Sequence, residues 1–266
     1  MIHSLPAELT GRHLKVAVAG CGGTGSQVLT GLARMHVSLL ALGHPGLSVC
    51  AFDPDTVTPA NVGRQLFSPS DLGCNKAAVL INRLNCFFGL NWTASPSCYK
   101  AGQRFSDDRA DFLFGCVDTA AARRDLAQTR FRYWLDIGNT DKKGQVILGT
   151  RTRSKRIAQG VPLSEILASN TLSASKLVKK QTYYTPPRPR LVTEMFPILK
   201  DKRRKEDNTP SCSLAEALER QDLFINQTVA TFALQLLWQF IRQGGLDIHG
   251  YFINLESGRV TPLPIK

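Results

Sequence analysis

The stretch Gly20-Cys21-Gly22-Gly23-Thr24-Gly25 constrains this chain more than any other. It follows the apolar run 16–19 and leads into an apolar-periodic segment, so a short strand, a glycine loop and a helix succeed one another. In such a strand-to-helix turn Gly20 permits the tight bend, Gly22 lets a phosphate approach the backbone, and Gly25 lets the helix pack on the strand. The amino terminus of the helix then offers unpaired N–H groups to an anion. The pattern outlines a nucleotide site. Glycine turns also join strands to helices where no ligand binds, so residues elsewhere in the chain decide between the two.

Leu14–Ala19 reads as the first strand, residues 26–36 as the first helix, and Leu47–Phe52 as a second strand that ends at Asp53. An acid closing the second strand of such a unit is placed to accept a hydrogen bond from a ribose hydroxyl. Its spacing from Gly25 is stretched by the turn Gly43-His44-Pro45-Gly46. Residues 53–65 are too rich in Pro, Asp and Thr for a regular element before Arg64, which predicts a loop on the carboxyl edge of the sheet, where open α/β sheets bind ligands. Lys76 opens a helical pattern over 77–84. A cation in a first helical turn opposes the local dipole, a cost that a bound phosphate offsets. Taken singly, Arg64 and Lys76 also read as surface charges.

Residues 111–117 predict a further strand ending at Asp118. Two roles are open for that carboxylate: a Mg²⁺ ligand beside the phosphate site, or the N-cap of the next helix. Residues 133–136 and 144–149 predict two more strands, with Gly138-Asn139 as the turn between them.

At 266 residues the chain can bury the core of one large α/β domain, and 43% hydrophobic with 20% charged residues fits a soluble globular protein. Neither a secretory signal nor a membrane-spanning apolar run is evident, so a cytoplasmic protein with no membrane partner is expected. Seven scattered cysteines without a Cys-x-x-Cys pair argue against a disulfide framework and against a zinc site. Most of them are expected to be small buried residues, with Cys212 apart. The formal charge of +12 favours acidic partners. Part of it crowds into Lys200, Lys202, Arg203, Arg204 and Lys205, without any recognised nucleic-acid motif, so contact with nucleic acid is expected only as non-specific electrostatics.

The pattern divides the chain into residues 1–150, a nucleotide-binding part; 151–212, a crossover or insert with a basic loop; and 213–266, a C-terminal helix and hairpin completing one domain. The crossover contains helical patterns over 161–167 and 172–178 and a Pro-rich connection over 184–189. Residues 214–241 read as a long helical pattern broken near Asp222. Its apolar face carries Leu223, Phe224, Val229, Phe232, Leu236 and Phe240, which suits a core or a subunit contact. Residues 250–255 and 260–264 form a hairpin about Glu256-Ser257-Gly258.

Four stretches in order carry a resemblance: Gly20-x-Gly22-Gly23-x-Gly25; Asp53-x-Asp55-x-Val57 running to Asn61-x-x-Arg64-Gln65; Gly73-x-x-Lys76; and Asp118 with Arg123. Together they resemble the ThiF/MoeB/E1 family, which activates ubiquitin-like and sulfur-carrier proteins. Asp136-x-Gly138-Asn139 and Gly144-Gln145-Val146 look like that family's next strand pair. Residues 210–217 and 221–226 look most like the ThiF-related proteins of the PRTRC cassettes of bacterial plasmids and mobile elements. The resemblance implies an α/β, Rossmann-like ThiF/E1 adenylation fold with a mostly parallel central sheet, flanking helices and a C-terminal β-hairpin, usually as a homodimer. It implies that ATP and the C-terminal glycine carboxylate of a small partner give an acyl-adenylate and pyrophosphate. Asp53 would then serve the ribose, Asn61, Arg64 and Lys76 the phosphates, and Asp118 Mg²⁺. Asp55 belongs to the same motif, Gln65 would brace Arg64, and Arg123 would hold Asp118 or the partner's tail.

The chain departs from the family in two places. Many relatives reach into a neighbouring subunit with an N-terminal arginine, for which only Arg12 is available here, and the paired zinc cysteines of many relatives are missing. Cys212, in Pro-Ser-Cys-Ser ahead of a helix, resembles the cysteine that takes the activated glycine as a thioester, and a helix amino terminus favours the thiolate. A buried structural cysteine is the other reading. Two alternatives to the enzyme remain: a non-catalytic E1-like scaffold that binds ATP or a ubiquitin-like partner, and a NAD- or FAD-dependent oxidoreductase. The latter leaves Arg64, Lys76 and Asp118 without a shared role.

Overall fold

The computed structural model describes residues 1–100, 109–151, 157–158, 183–184, 188–201 and 214–266. The predicted helices at 161–167 and 172–178, most of the basic run, and Cys212 lie outside the described residues.

An eight-stranded sheet organises the fold. In chain order its strands are β1 (Leu14–Ala19), β2 (Leu47–Phe52), β3 (Thr93–Ser95), β4 (Ala110–Gly115), β5 (Phe131–Asn139), β6 (Lys143–Thr150), β7 (Ile248–Asn254) and β8 (Arg259–Pro264). In space the order is β8-β7-β6-β5-β4-β1-β2-β3. Strands β3, β2, β1, β4 and β5 run parallel; β6, β7 and β8 extend the sheet antiparallel. The parallel strands are near-continuous apolar runs because both faces are covered. Against one face lie α1 (Gly23–Ala41) and α2 (Lys76–Phe88), with α3 (Ala120–Leu126) and α4 (Val192–Met195) on the other. After α5 (Leu214–Arg220), helix α6 (Ile225–Gln243) joins α1 on the first face. Val16, Leu29, Phe112, Leu135, Val229, Leu236 and Phe240 are shared in that core, and Leu113, Trp134, Ile147 and Leu191 anchor the opposite one.

The expected fold class holds: a Rossmann-like α/β sheet, parallel over its larger part, with flanking helices and a C-terminal hairpin. Strands β1 and β2 have the bounds read from sequence. Several details differ. Helix α1 begins inside the glycine loop, at Gly23, and runs to Ala41. Gly138 and Asn139 are not a turn but the end of β5; the hairpin closes at Thr140, whose N–H donates to the Lys143 carbonyl at 2.8 Å. A side chain at 138 would strike the Arg123 guanidinium at 2.6 Å, so Gly138 gives passage to that side chain.

The break in the C-terminal helices falls between Arg220 and Ile225. Helical periodicity therefore misplaces Leu223 and Phe224, which are 45% and 61% exposed, whereas Val229, Leu236 and Phe240 are buried and Phe232 half-buried. The cysteines differ as well. Of the described ones Cys21 alone is buried, and Cys74, Cys86 and Cys98 are exposed. Among the described residues no helix is long and apolar enough to cross a membrane.

Candidate functional site

The register of the parallel strands assembles the site. Ala19 pairs with Phe52 and with Gly115, so the loop after β1 emerges directly beside Asp53 and Cys116 on the carboxyl edge. A cavity of ≈350 Å³ opens there. Gly20 turns with φ of +91°, and a Cβ on it would sit 2.5 Å from the Cys116 carbonyl oxygen. On Gly25 a Cβ would lie 1.9 Å from the Gly20 carbonyl oxygen, so the first helical turn closes against the strand end only with glycine. A Cβ on Gly23 would strike the Asn226 amide at 2.7 Å, which makes that glycine a packing residue. Gly22 is different: its nearest neighbours would be the Gln65 amide atoms at 3.8 and 3.9 Å, an ordinary contact, and it lines the cavity.

Asp53 is 5% exposed and organises the rim. Its Oδ2 accepts the Cys21 N–H at 2.5 Å and its Oδ1 the Asp55 N–H at 2.8 Å. Burial pushes its carboxyl up from the ordinary range, with those N–H groups and the Lys76 charge opposing. Across the loop the Asn75 amide donates to the Asp53 and Asp55 carbonyls at 2.8 and 3.1 Å, while its oxygen caps α2 at the Ala78 N–H, 3.0 Å. That clasp delivers Lys76 to the cavity, where its Nζ meets the exposed Asp55 carboxylate at 3.2 Å.

Arg64 reaches the cavity from the other side of the loop. Nη1 donates to the Gln221 Oε1 at 2.7 Å, and Nε is buried without an acceptor among the described residues. Gln221 Oε1 also accepts from the Asn226 amide at 2.9 Å, and Asn226 Oδ1 accepts the Thr24 hydroxyl at 2.9 Å. A polar chain thus runs from the amino end of α1, through that of α6, to the arginine. Burial lowers the Arg64 pKa from its ordinary value. Gln221, rather than Gln65, braces this arginine; the Gln65 Oε1 is itself buried without a donor. Asn61 lies beneath the loop, where its Oδ1 accepts the Thr58 N–H and hydroxyl at 2.9 and 3.0 Å, and neither it nor Gly25 lines the cavity.

The third side of the cavity is the β4–α3 junction. Asp118 is exposed and lines it, and its carboxylate has no hydrogen bond or ion pair among the described residues. The N-cap reading of Asp118 is overturned: Thr119 caps α3, its hydroxyl accepting the Ala122 N–H at 3.0 Å. Arg123 is buried and donates from Nε to Asp136 Oδ1 at 2.9 Å and from Nη1 to the Asp118 carbonyl at 3.0 Å. It therefore fixes the backbone of Asp118 rather than its carboxylate. Asp136 is fully buried, its other oxygen accepting from the Gln145 amide at 3.1 Å. Burial raises its pKa and the Arg123 charge opposes the rise. Phe52, Tyr99, Leu126 and Ile137 give the cavity an apolar wall.

Sequence reasoning assigned no site role to Gln221, Asn226, Asp125 or Cys98, all of which line the cavity. Gln221 and Asn226 stood inside a motif quoted only for its narrower resemblance. Arg12 lies elsewhere, bound bidentately to Asp111 at 2.8 and 2.6 Å at the amino edge of the sheet.

The residues present fit a phosphate-bearing ligand with a divalent cation. Among the described residues the Arg64 Nε has no acceptor and the Asp118 carboxylate no hydrogen bond or ion pair, and Gly22 leaves room at the backbone. Sheet order, glycine loop and covering helices define an open α/β protein of the Rossmann-like type. The chain belongs to the ThiF family, whose family model matches residues 8–261. No curated protein matches it in sequence. Among solved structures, E. coli MccB with AMPCPP and MccA is similar at TM-score 0.52 and 15% identity, over 95% of this chain and 64% of that one. E. coli MccB with ATP aligns at TM-score 0.50 and 14% identity, over 97% and 65%. PaaA aligns at TM-score 0.53 and 14% identity, over 95% and 73%. These are likenesses of fold, and the chain spans less than two thirds of the length of MccB.

Proposed function

We propose that this chain is an E1-like adenylating enzyme that activates the C-terminal glycine carboxylate of a small ubiquitin-like or sulfur-carrier protein with ATP. The observation that carries the reading is Arg64: a half-buried guanidinium with a neutral acceptor on Nη1 and an Nε with no acceptor among the described residues, lining the same cavity as Gly22 of the glycine loop. In the reaction a carboxylate oxygen attacks the α-phosphorus, the bond from that phosphorus to the bridging oxygen breaks, and pyrophosphate leaves with the electron pair. Two anions must meet for this to happen, so fixed positive charge is required where charge accumulates. Arg64 and Lys76 supply it, with Asn61 holding the loop between them in register. Asp53 accepts from the ribose, each oxygen keeping a lone pair beyond the N–H it already binds. Asp118 would hold Mg²⁺. That ion, when bound, neutralises charge on the phosphates and the departing pyrophosphate. One solved MccB structure holds AMPCPP together with MccA, which supports a second substrate beside the nucleotide here.

In the finer reading the chain is a PRTRC-type member acting as a cytoplasmic homodimer. Residues 1–150 bind nucleotide, 151–212 form the crossover, and 213–266 complete the domain. A second step follows on Cys212: its Sγ attacks the acyl carbon, AMP leaves, and the thiol proton passes to solvent. Incubating the full chain with Mg²⁺, ATP and a glycine-ended ubiquitin-like protein tests the reading, with mass spectrometry of the products. The acyl-adenylate is expected, and in wild type but not Cys212→Ala a reducible adduct. ATP binding with no adenylate would favour the scaffold alternative, which has the position of Arg12 in its favour.

A further inference from the structure

The opposite edge of the sheet holds a second concentration of cations. Lys15 is the second residue of β1, Arg109 immediately precedes β4, and Arg132 is the second residue of β5. These three strands are neighbours in the order β5-β4-β1, so their amino ends bring the three side chains together with Arg12 around a cavity of ≈270 Å³. Among the described residues Asp111 is the one carboxylate lining it. That carboxylate is 3% exposed and already committed, to the Arg12 fork at 2.6 and 2.8 Å and to the Lys15 backbone N–H at 2.9 Å. Arg132 is 8% exposed; it pairs with the exposed Glu8, yet its Nε is buried with no acceptor among the described residues. The ammonium of Lys15 and the guanidinium of Arg109 have no hydrogen bond or ion pair among the described residues.

Among the described residues four cations therefore face two carboxylates, and the deepest cation has an unused donor. Clustered guanidinium and ammonium groups of this kind suit phosphate oxygens, which accept several charge-assisted hydrogen bonds at once. No residue here belongs to the nucleotide cavity on the carboxyl edge.

We propose that the amino edge of the sheet is a second anion site, in which Lys15, Arg109 and Arg132 Nε bind the phosphate groups of a polyanion. The source of the phosphate is either a free polyphosphate or the backbone of a nucleic-acid strand, and the formal charge of +12 draws either toward the chain. The site is independent of the adenylation reading.

Two probes separate the sources: inorganic tripolyphosphate by calorimetry, and a labelled single-stranded oligonucleotide by fluorescence anisotropy across a salt series, both on the full chain. Wild type is expected to bind at least one probe, and Lys15→Gln/Arg109→Gln to bind it about tenfold more weakly, with Lys15→Arg/Arg109→Lys restoring affinity. For the oligonucleotide, each lost phosphate contact flattens the salt dependence by about 0.7 in log–log slope. Tripolyphosphate binding alone assigns a small-anion site, and oligonucleotide binding a strand site. The proposal is overturned if neither probe binds, or if the double glutamine variant binds as wild type does.

Discussion

Two glycines three positions apart have opposite predicted phenotypes when each is replaced by alanine. At Gly25 the new Cβ would sit 1.9 Å from the Gly20 carbonyl oxygen and 2.8 Å from its carbon. Both partners are backbone, so no rotamer relieves the overlap, and the first turn of α1 must leave the end of β1. Overpacking of this kind costs about 3 kcal/mol or more, a large share of the roughly 5–15 kcal/mol that holds a domain folded. At Gly22 the same Cβ meets the Gln65 side chain at 3.8 Å, an ordinary contact, and the backbone lies at φ −77° and ψ −144°. The stability of Gly22→Ala should fall by less than that of Gly25→Ala. The added methyl instead occupies the space where the loop meets its ligand, so ATP affinity should fall at least about tenfold. Urea unfolding followed by the fluorescence of the buried Trp92 and Trp134, with calorimetric ATP titration, measures both quantities. A Gly22→Ala protein that binds ATP as wild type does would refute the assignment of Gly22 to the ligand, and a Gly25→Ala protein of wild-type stability would refute the steric argument.

Gln221→Met removes the acceptor shared by Arg64 and Asn226. Unfolding free energy should drop by about 1–2 kcal/mol, since one charge-assisted and one neutral hydrogen bond are lost at a part-buried position, and ATP binding should weaken with it. The Asp53 carboxyl is raised by burial, so its contribution to stability is full below the ordinary value of 3.8 and declines as pH rises through the folded-state value. The stability difference between wild type and Asp53→Asn should accordingly fall as pH rises from about 3.8, measured by urea unfolding; a difference that grows with pH contradicts the sign. Cys98 is exposed and lines the cavity on the carboxyl edge, whereas Cys86 is exposed and does not. ATP at tenfold its Kd should slow alkylation of Cys98 about tenfold and leave Cys86 unaffected, as read by peptide mass spectrometry.

The parts of the site that were legible in sequence are those fixed by local chemistry. Strands β1 and β2 are apolar runs bounded by turn residues, and the glycines and Asp53 follow at their ends, so their bounds and their meeting point could be read directly. Lys76 was readable for the same reason, as the first residue of a capped helix. What escaped depends on contacts distant in sequence. Gln221 is 157 positions from Arg64, and Asn226 is 202 from Thr24; neither separation leaves a periodic trace. Gly138 looked like a turn because glycine usually marks one, whereas it is glycine for the guanidinium that crosses it. The edge strand Thr93–Ser95 has three small residues and no alternation to reveal it. The break near Asp222 was legible and holds, but Leu223 and Phe224 fall inside it, so a helical period carried across the break put them on the apolar face when they are exposed.

The central claim is adenylation at the carboxyl edge, and isotope exchange between ATP and pyrophosphate tests it most directly, with Mg²⁺ and with or without a glycine-ended ubiquitin-like protein. Exchange should require that protein and should be abolished in Asp118→Ala, which keeps its fold because the Asp118 carboxylate makes no hydrogen bond or ion pair among the described residues and Thr119 caps the helix. Absence of exchange in wild type with that protein present would contradict the adenylation, and near-normal exchange in Asp118→Ala would contradict the metal site.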